Sequence, residues 1–176
     1  MNLKIDQLGI EEKLDGRIIR FSLLMRPEDQ EVFALRGRLA AVFEIDTTGS
    51  KTDKGALKKI AEDIFLQNYF VKDFLSVEGS LKAALNQIMD HFKNFEVKEI
   101  GFSAAVVLQD LVYVARKGEC GLTFFRNSRL EPIKGITADD LKLQTASGRA
   151  LEGDALCLAA GVLEKDEALQ DLLKRL

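Results

Sequence analysis

The stretch GFSAAVVLQDLVYVARKGEC, residues 101–120, has the pattern of two β-strands joined by a tight turn. Two apolar runs, 102–108 and 111–115, are separated by Gln109 and Asp110. β-Branched and apolar residues favour strands, and a short polar pair between two such runs favours the loop of a hairpin. The sequence therefore predicts an antiparallel β-hairpin here.

Further strand patterns lie on both sides of this hairpin. Before it, residues 17–25, 31–35 and 39–45 are apolar-rich or alternate apolar with polar residues, and Gly16 and Gly37 mark turns. After it, the predicted strands are 122–126, 130–133, 142–145 and 155–160. Because hairpins supply most of these connections, we expect largely antiparallel sheets.

Two amphipathic helices are predicted between the early and the late strands, near residues 53–75 and 80–94. In the second, apolar residues recur at the i, i+3, i+4, i+7 spacing of one buried stripe. Ser76, Gly79 and Ser80 supply the break and an N-cap between the helices. The helices are predicted to pack side by side on one sheet face through Leu57, Ile64, Leu81, Leu85, Ile88 and Phe92. A third, short helix is predicted over 165–176.

The composition fits a single α+β domain over residues 1–176. Hydrophobic residues make up 47% and charged residues 30%, enough for a core and for solubility. A net charge of −3 and a pI near 5.4 argue against nucleic acid as the main partner. The longest apolar run, 155–163, is about half the length that spans a bilayer, so no membrane partner is expected.

The N-terminus lacks the apolar core of a signal peptide, so we expect a cytoplasmic protein. Cys120 and Cys157 are then expected to stay reduced, as small buried residues rather than nucleophiles. His91 is the single histidine and cannot build a multi-histidine metal site or a serine–histidine triad. A lysine cluster at positions 51, 54, 58 and 59 has two interpretations: a solvated helix face, or a contact for an acidic or phosphorylated partner.

Several stretches resemble, in order and spacing, motifs of the metal-dependent PPM (type 2C) protein phosphatases. RPEDQE at 26–31, followed by GRLAAVFE at 37–44, resembles the family's opening arginine, acidic pair and strand ending in Val-Phe-Asp-Gly. GFSAAVVL and LVYVARKGEC resemble its Gly-Thr-Thr-Ala strand and the hairpin that follows. EGDALCLAAG at 152–161 resembles Pro-Gly-Asp-x-Leu-Leu-Leu-Ala-Ser-Asp-Gly. The resemblance covers residues 20–163 and implies an αββα-layered β-sandwich flanked by helices, shortened at the C-terminus.

The resemblance also implies a site. In that family a carboxylate cluster holds two or more Mn²⁺ or Mg²⁺ ions, which activate a bridging water for attack on phosphorus. Matched position by position, the corresponding residues are Glu31, Glu44, Asp46 and Glu119, with Arg26 at the phosphate-binding arginine. Gly161 replaces one ligand aspartate, and the last Asp-Asn motif of the family would lie beyond residue 176. Glutamate also carries its carboxylate about 1.5 Å further than aspartate, an error large enough to impair catalysis.

These differences predict a non-catalytic PPM-like domain, a pseudophosphatase that serves as a regulatory or protein-binding module with a protein partner. We expect no cofactor, or at most one weakly bound Mg²⁺ or Mn²⁺ ion. The alternative is a weak Mn/Mg-dependent protein serine/threonine phosphatase. An unrelated αββα hydrolase of the N-terminal-nucleophile type would need a Thr, Ser or Cys freed at a mature N-terminus, and Met1-Asn2 offers none.

Two structural expectations follow from the resemblance. Glu31, Glu44 and Glu119 should converge in one cleft, whereas solvated surface carboxylates would lie apart. The absence of the family's closing strands should leave a sheet edge exposed, to be covered by the last helix, by a second copy in a homodimer, or by a partner.

Overall fold

The computed structural model describes residues 18–48, 52–73, 75–127, 129–136 and 142–160. Within these ranges two antiparallel sheets form, one with the strand order β1-β2-β3-β4-β7 and one with the order β6-β5-β8. The strands are β1 (Ile18–Met25), β2 (Arg38–Thr47), β3 (Val97–Leu108), β4 (Leu111–Lys117), β5 (Gly121–Arg126), β6 (Arg129–Pro132), β7 (Gln144–Arg149) and β8 (Ala155–Ala159).

The predicted central hairpin is confirmed as β3 and β4. Its register ends at the pair Leu108–Leu111, so Gln109 and Asp110 form the turn. Gln109 has φ 59°, the left-handed conformation that a two-residue hairpin loop requires. Strand β3 begins earlier than the sequence predicts, at Val97, because it also pairs with β2 along its whole length.

The side chains of β2 alternate between the two faces of the larger sheet. Every second residue is almost fully buried, at Leu39, Ala41, Phe43 and Ile45, whereas the residues between them are half-buried. Since successive side chains of a strand point to opposite faces, the buried set marks the face that the helices cover. Phe43 stacks on Phe21 of β1 with ring centroids 4.9 Å apart.

Two helices cover this face, α2 (Lys54–Ile64) and α3 (Val77–Phe92). The predicted contact residues Leu57, Ile64, Leu81, Leu85, Ile88 and Phe92 all belong to one core with the larger sheet, as predicted. Helix α3 begins earlier than the predicted residue 80, because the Ser76 hydroxyl accepts the Gly79 amide at 3.1 Å as its N-cap. Helix α2 continues as a π-helical turn, Phe65–Tyr69, and does not extend to residue 75.

The strand predicted over 31–35 is wrong: the segment is the helix α1 (Gln30–Arg36). The Asp29 side chain caps it by accepting the Glu31 amide at 2.8 Å and the Val32 amide at 3.3 Å. Val32 and Arg36, four residues apart, are its buried positions. The apparent alternation of apolar and polar residues therefore belongs to a helix of about two turns, not to a pleated strand.

Arg36 anchors the end of α1 to the chain that follows the π-helical turn. Its guanidinium is buried, donates to the carbonyl oxygens of Val71 and Leu75 at 3.1 Å each, and pairs with Asp73. The Tyr69 hydroxyl in turn donates to the Arg36 carbonyl oxygen at 2.6 Å. The buried charge is tolerated here because each of the three guanidinium nitrogens donates a hydrogen bond to an oxygen acceptor.

The smaller sheet packs on the other face of the larger one. Ala105, Val112 and Val114 of β3 and β4 form a second core with Leu122, and Phe124, Leu156 and Leu158 pack against it. The described residues thus supply a helix layer and two antiparallel sheet layers, in agreement with the predicted α+β layering. The helix predicted over 165–176 lies outside the described residues, as does Gly161.

The remaining strands agree with prediction, with one shift. Strands β5, β6 and β8 lie where 122–126, 130–133 and 155–160 were predicted, whereas the strand predicted over 142–145 is β7, Gln144–Arg149. Within the described ranges, β1 and β7 are the outer strands of the larger sheet. No helix in these ranges is both long and apolar enough to cross a membrane.

Candidate functional site

Two of the predicted site residues, Glu44 and Asp46, lie on β2. They alternate with the buried core residues, so both belong to the face of the larger sheet opposite the helices. The register places Glu44 between Arg20 of β1 and Gly101 of β3. This end of β2 is where the resemblance puts the centre of the site.

Glu44 forms an ion pair with Arg20. The Arg20 Nε and one terminal nitrogen each lie 2.6 Å from Glu44 Oε2, and both side chains are only partly exposed. Asp46 similarly lies 3.3 Å from the ammonium group of Lys98. The Arg20–Glu44 contact is a charge-assisted hydrogen bond, whereas the Asp46–Lys98 contact is an ion pair with a largely exposed lysine.

The turn that joins β4 to β5 brings Glu119 to the same end of the sheet. Gly118 has φ +73°, and a Cβ there would lie 2.8 Å from the Cα of Gly101, so only glycine lets the turn approach β3 this closely. A Cβ on Gly101 would meet the buried Cys120 sulfur at 3.2 Å. The Glu119 side chain is exposed.

Glu31 lies at the other end of the β1–β2 pair, on α1. The stretch from Arg38 to Glu44 is about 20 Å long at about 3.3 Å per residue, and Glu31 precedes its start. Lys72 lies 2.5 Å from Glu31 Oε2 and 3.1 Å from Asp29. The hydrogen bond from Lys72 lowers the pKa of Asp29, and the bonds to Glu31 and Asp29 raise the pKa of Lys72.

Arg26, the predicted phosphate-binding residue, also lies at the α1 end. Its guanidinium carbon sits 4.5 Å above the centre of the Phe33 ring. Arg26 is exposed, and it follows directly on β1, whose opposite half carries Arg20. The structure therefore separates Arg26 from Glu44 along the length of the sheet.

These residues do not fit a centre of two divalent ions. Within the described ranges, no three His, Cys, Asp or Glu side chains lie close enough to hold a metal ion. The predicted convergence of Glu31, Glu44 and Glu119 is not observed. Glu31, Glu44 and Asp46 each contact a cationic side chain instead. The binding of at most one Mg²⁺ or Mn²⁺ ion by these four acidic residues stays a prediction, which metal titration can test.

The cationic partners of these carboxylates were not predicted from the sequence. Arg20 is the one charged residue in the apolar strand IIRFSLLM, and this charge in an otherwise buried pattern was the available signal. Ser103 was also missed. It is fully buried on β3, its hydroxyl oxygen has no hydrogen-bond partner among the described residues, and its cross-strand neighbours are Val42 and Arg116.

Cys120 directly precedes β5, Cys157 lies on β8 and His91 lies on α3. Cys120 is buried and Cys157 is half-buried, and burial raises the pKa of Cys157 to about 11, so it is a poor nucleophile at neutral pH. His91 is exposed near the end of α3, with Nδ1 2.9 Å from the Gln87 carbonyl oxygen.

Comparison with known proteins identifies the fold. No protein-family model matches the sequence, and no curated protein does. Among solved structures, PppA, a key regulatory component of the T6SS in Pseudomonas aeruginosa, matches with a TM-score of 0.57 at 16% identity, over 89% of this chain and 83% of that one. The catalytic domain of the serine/threonine protein phosphatase PstP, in complex with 2 manganese ions, gives 0.58 at 12% identity, over 89% and 84%.

A third structure, RsbX in complex with magnesium, gives a TM-score of 0.53 at 14% identity, over 93% of this chain and 74% of that one. Identities at this level establish the fold alone. The chain thus has the PPM-type, phosphatase 2C-like α+β fold, as the sequence resemblance implied.

Proposed function

We propose that this chain is a non-catalytic PPM-type domain, a pseudophosphatase that acts in the cytoplasm as a regulatory, protein-binding module. One observation carries the proposal: Glu44, which stands at the first metal-bridging position, is held by Arg20 at 2.6 Å. The carboxylate that would bridge the metal ions is instead bonded to a guanidinium group of the protein itself.

The electrostatics of this pair oppose a divalent ion. A guanidinium stays charged at every physiological pH, so it neutralises Glu44 and repels a second cation placed beside it. A two-metal centre needs several uncompensated carboxylates around the ions. Asp46 has an ion-pair contact of 3.3 Å with Lys98, and Glu31 lies at the other end of the β1–β2 pair.

The regulatory part of the proposal draws on a structural neighbour. PppA, which shares the fold, is a regulatory component of its own system. On this proposal the fold lacks a two-metal centre but keeps its surfaces, and surfaces suffice for a binding role.

Turnover of p-nitrophenyl phosphate, with and without Mn²⁺, tests the proposal. We expect no turnover above that of the Glu44→Gln variant in either condition. The variant is a matched control, since it keeps the size of the side chain and removes its charge. Mn²⁺-dependent turnover that Glu44→Gln abolishes would instead establish the alternative, a weak metal-dependent serine/threonine phosphatase. That alternative is favoured only by the manganese complex of PstP.

A further inference from the structure

Two arginines stack on one phenylalanine at the α1 end of the larger sheet. The guanidinium carbon of Arg26 lies 4.5 Å from the centre of the Phe33 ring, and that of Arg38 lies 6.0 Å from it. Arg26 is exposed, while Phe33 and Arg38 are half-buried. Cation–π contacts at these distances hold a guanidinium in place without using its N–H donors on a carboxylate.

Both guanidinium groups lack an acidic partner in the part of the chain that the structure describes. Arg20, Arg36 and Arg126 each pair with a carboxylate. By contrast, no Asp or Glu among the described residues lies within ion-pair distance of Arg26 or Arg38. The nearby carboxylates of Asp29 and Glu31 are instead engaged by Lys72.

An exposed apolar residue lies beside this pair. Leu24 is 54% exposed, although it occupies a strand that is otherwise mostly covered. It pairs with Ala40, two residues from Arg38 on the same face of β2. Among the described residues, the buried members of the second core come from β3, β4, β5 and position 150, and none comes from β1 or β2.

We propose that Leu24, Arg26, Phe33 and Arg38 form a docking surface for an acidic segment of a partner protein, one that carries Asp or Glu beside an apolar side chain. The inference deepens the proposed binding role and rests on it. Arginine and aromatic residues dominate the energetics of protein interfaces, and a stacked guanidinium loses little conformational freedom on binding a carboxylate. Two uncompensated cations select an acidic ligand by charge, and Leu24 offers the apolar contact.

The overall charge favours a protein segment over the other polyanions. The chain carries a net charge of −3, so a nucleic acid or an anionic bilayer would meet repulsion away from this surface. A short acidic peptide would contact only the two guanidinium groups of Arg26 and Arg38. The opposite charges of peptide and surface raise the specificity of binding and the association rate.

Selection from a display library of random 12-residue peptides tests this surface. The matched variants are Arg26→Gln/Arg38→Gln and, as a control with the same change in charge, Lys82→Gln/Lys134→Gln at two exposed positions outside the lysine cluster of α2. Peptides enriched on the wild-type protein should carry Asp or Glu beside Leu or Phe. They should bind the arginine variant at least about tenfold more weakly, a loss of about 1.4 kcal/mol. The lysine variant should bind them as the wild type does, with unchanged melting temperatures for all three proteins.

The docking surface is refuted if no peptide is enriched, if the enriched peptides are not acidic, or if they bind the arginine variant equally well. Tighter binding of phosphoserine versions of the peptides, or of vesicles containing phosphatidylserine, would also contradict it. The outcome is separate from that of the phosphatase assay. Arginine-dependent peptide binding by an active enzyme would refute only the non-catalytic proposal, and an inactive protein without such binding would refute only this surface.

Discussion

The two faces of β2 differ in what their residues do. On one face, Phe43 and Ile45 are fully buried under α2 and α3, in a core of aliphatic and aromatic side chains. On the other face, Glu44 and Asp46 are partly exposed and paired with cations. The same ten-residue strand thus supplies both the stability of the fold and the candidate site. Changes on the first face should unfold the protein, whereas changes on the second should alter charge with little loss of stability.

The largest effect is expected in the helix-covered core. Leu85→Asp should lower the free energy of unfolding by several kcal/mol, because it places an unpaired charge where a fully buried side chain packs. Asn86→Asp, on the exposed next position of α3, should change stability by less than about 0.5 kcal/mol. Chemical denaturation measures both. Equal stability of Leu85→Asp and the wild type would show that the helices do not form the core.

The next effect concerns Arg36. Arg36→Met should cost about 3 kcal/mol, since it leaves Asp73 without its partner and the carbonyl oxygens of Val71 and Leu75 without donors. The same denaturation experiment applies, with Arg26→Met as the control at an exposed arginine. A loss no greater than that of the control would mean that the buried network does not anchor α1.

A smaller, pH-dependent effect is expected at Asp154. The hydrogen bonds from Arg126 lower the pKa of this carboxyl below its usual range. Because the folded pKa is the lower one, the pair stabilises the fold above the ordinary aspartate pKa of about 4, and this contribution is lost as pH falls through the folded value. The difference in melting temperature between wild type and Asp154→Asn should therefore be constant near neutral pH and shrink below about pH 4. A difference that does not change over this range would contradict the assignment.

The smallest effect is expected on the open face of β2. Arg20 and Glu44 are both partly solvent-exposed, so a double-mutant cycle with Arg20→Met and Glu44→Gln should give a coupling energy of about 1 kcal/mol or less. A coupling of several kcal/mol would show that the pair is structural, like Arg36, and that the two faces of β2 do not differ in the way described.

The sequence predicts the core better than the site, for a physical reason. The stripe from Leu81 to Phe92 and the hairpin at Gln109 follow from local periodicity, and both are confirmed. Helix α1 was missed because seven residues are too few to show the helical repeat of apolar positions. Asp29, a common N-cap residue, was the one local signal of a helix start.

The Arg20–Glu44 pair could not be derived from local pattern. The two residues lie 24 positions apart, and they meet only because the β1–β2 register sets them opposite each other. A register shifted by one residue would turn one of them to the other face. The apolar pattern over 39–45 placed Glu44 on a strand, but neither this pattern nor the resemblance indicated which cation lies beside it.

Calorimetric titration of the wild-type protein with Mn²⁺ tests the central claim most directly. With Glu44 and Asp46 compensated by Arg20 and Lys98, we predict either no heat of binding or one weak site, with no phosphatase turnover at saturating Mn²⁺. Two tight sites accompanied by turnover would contradict the account.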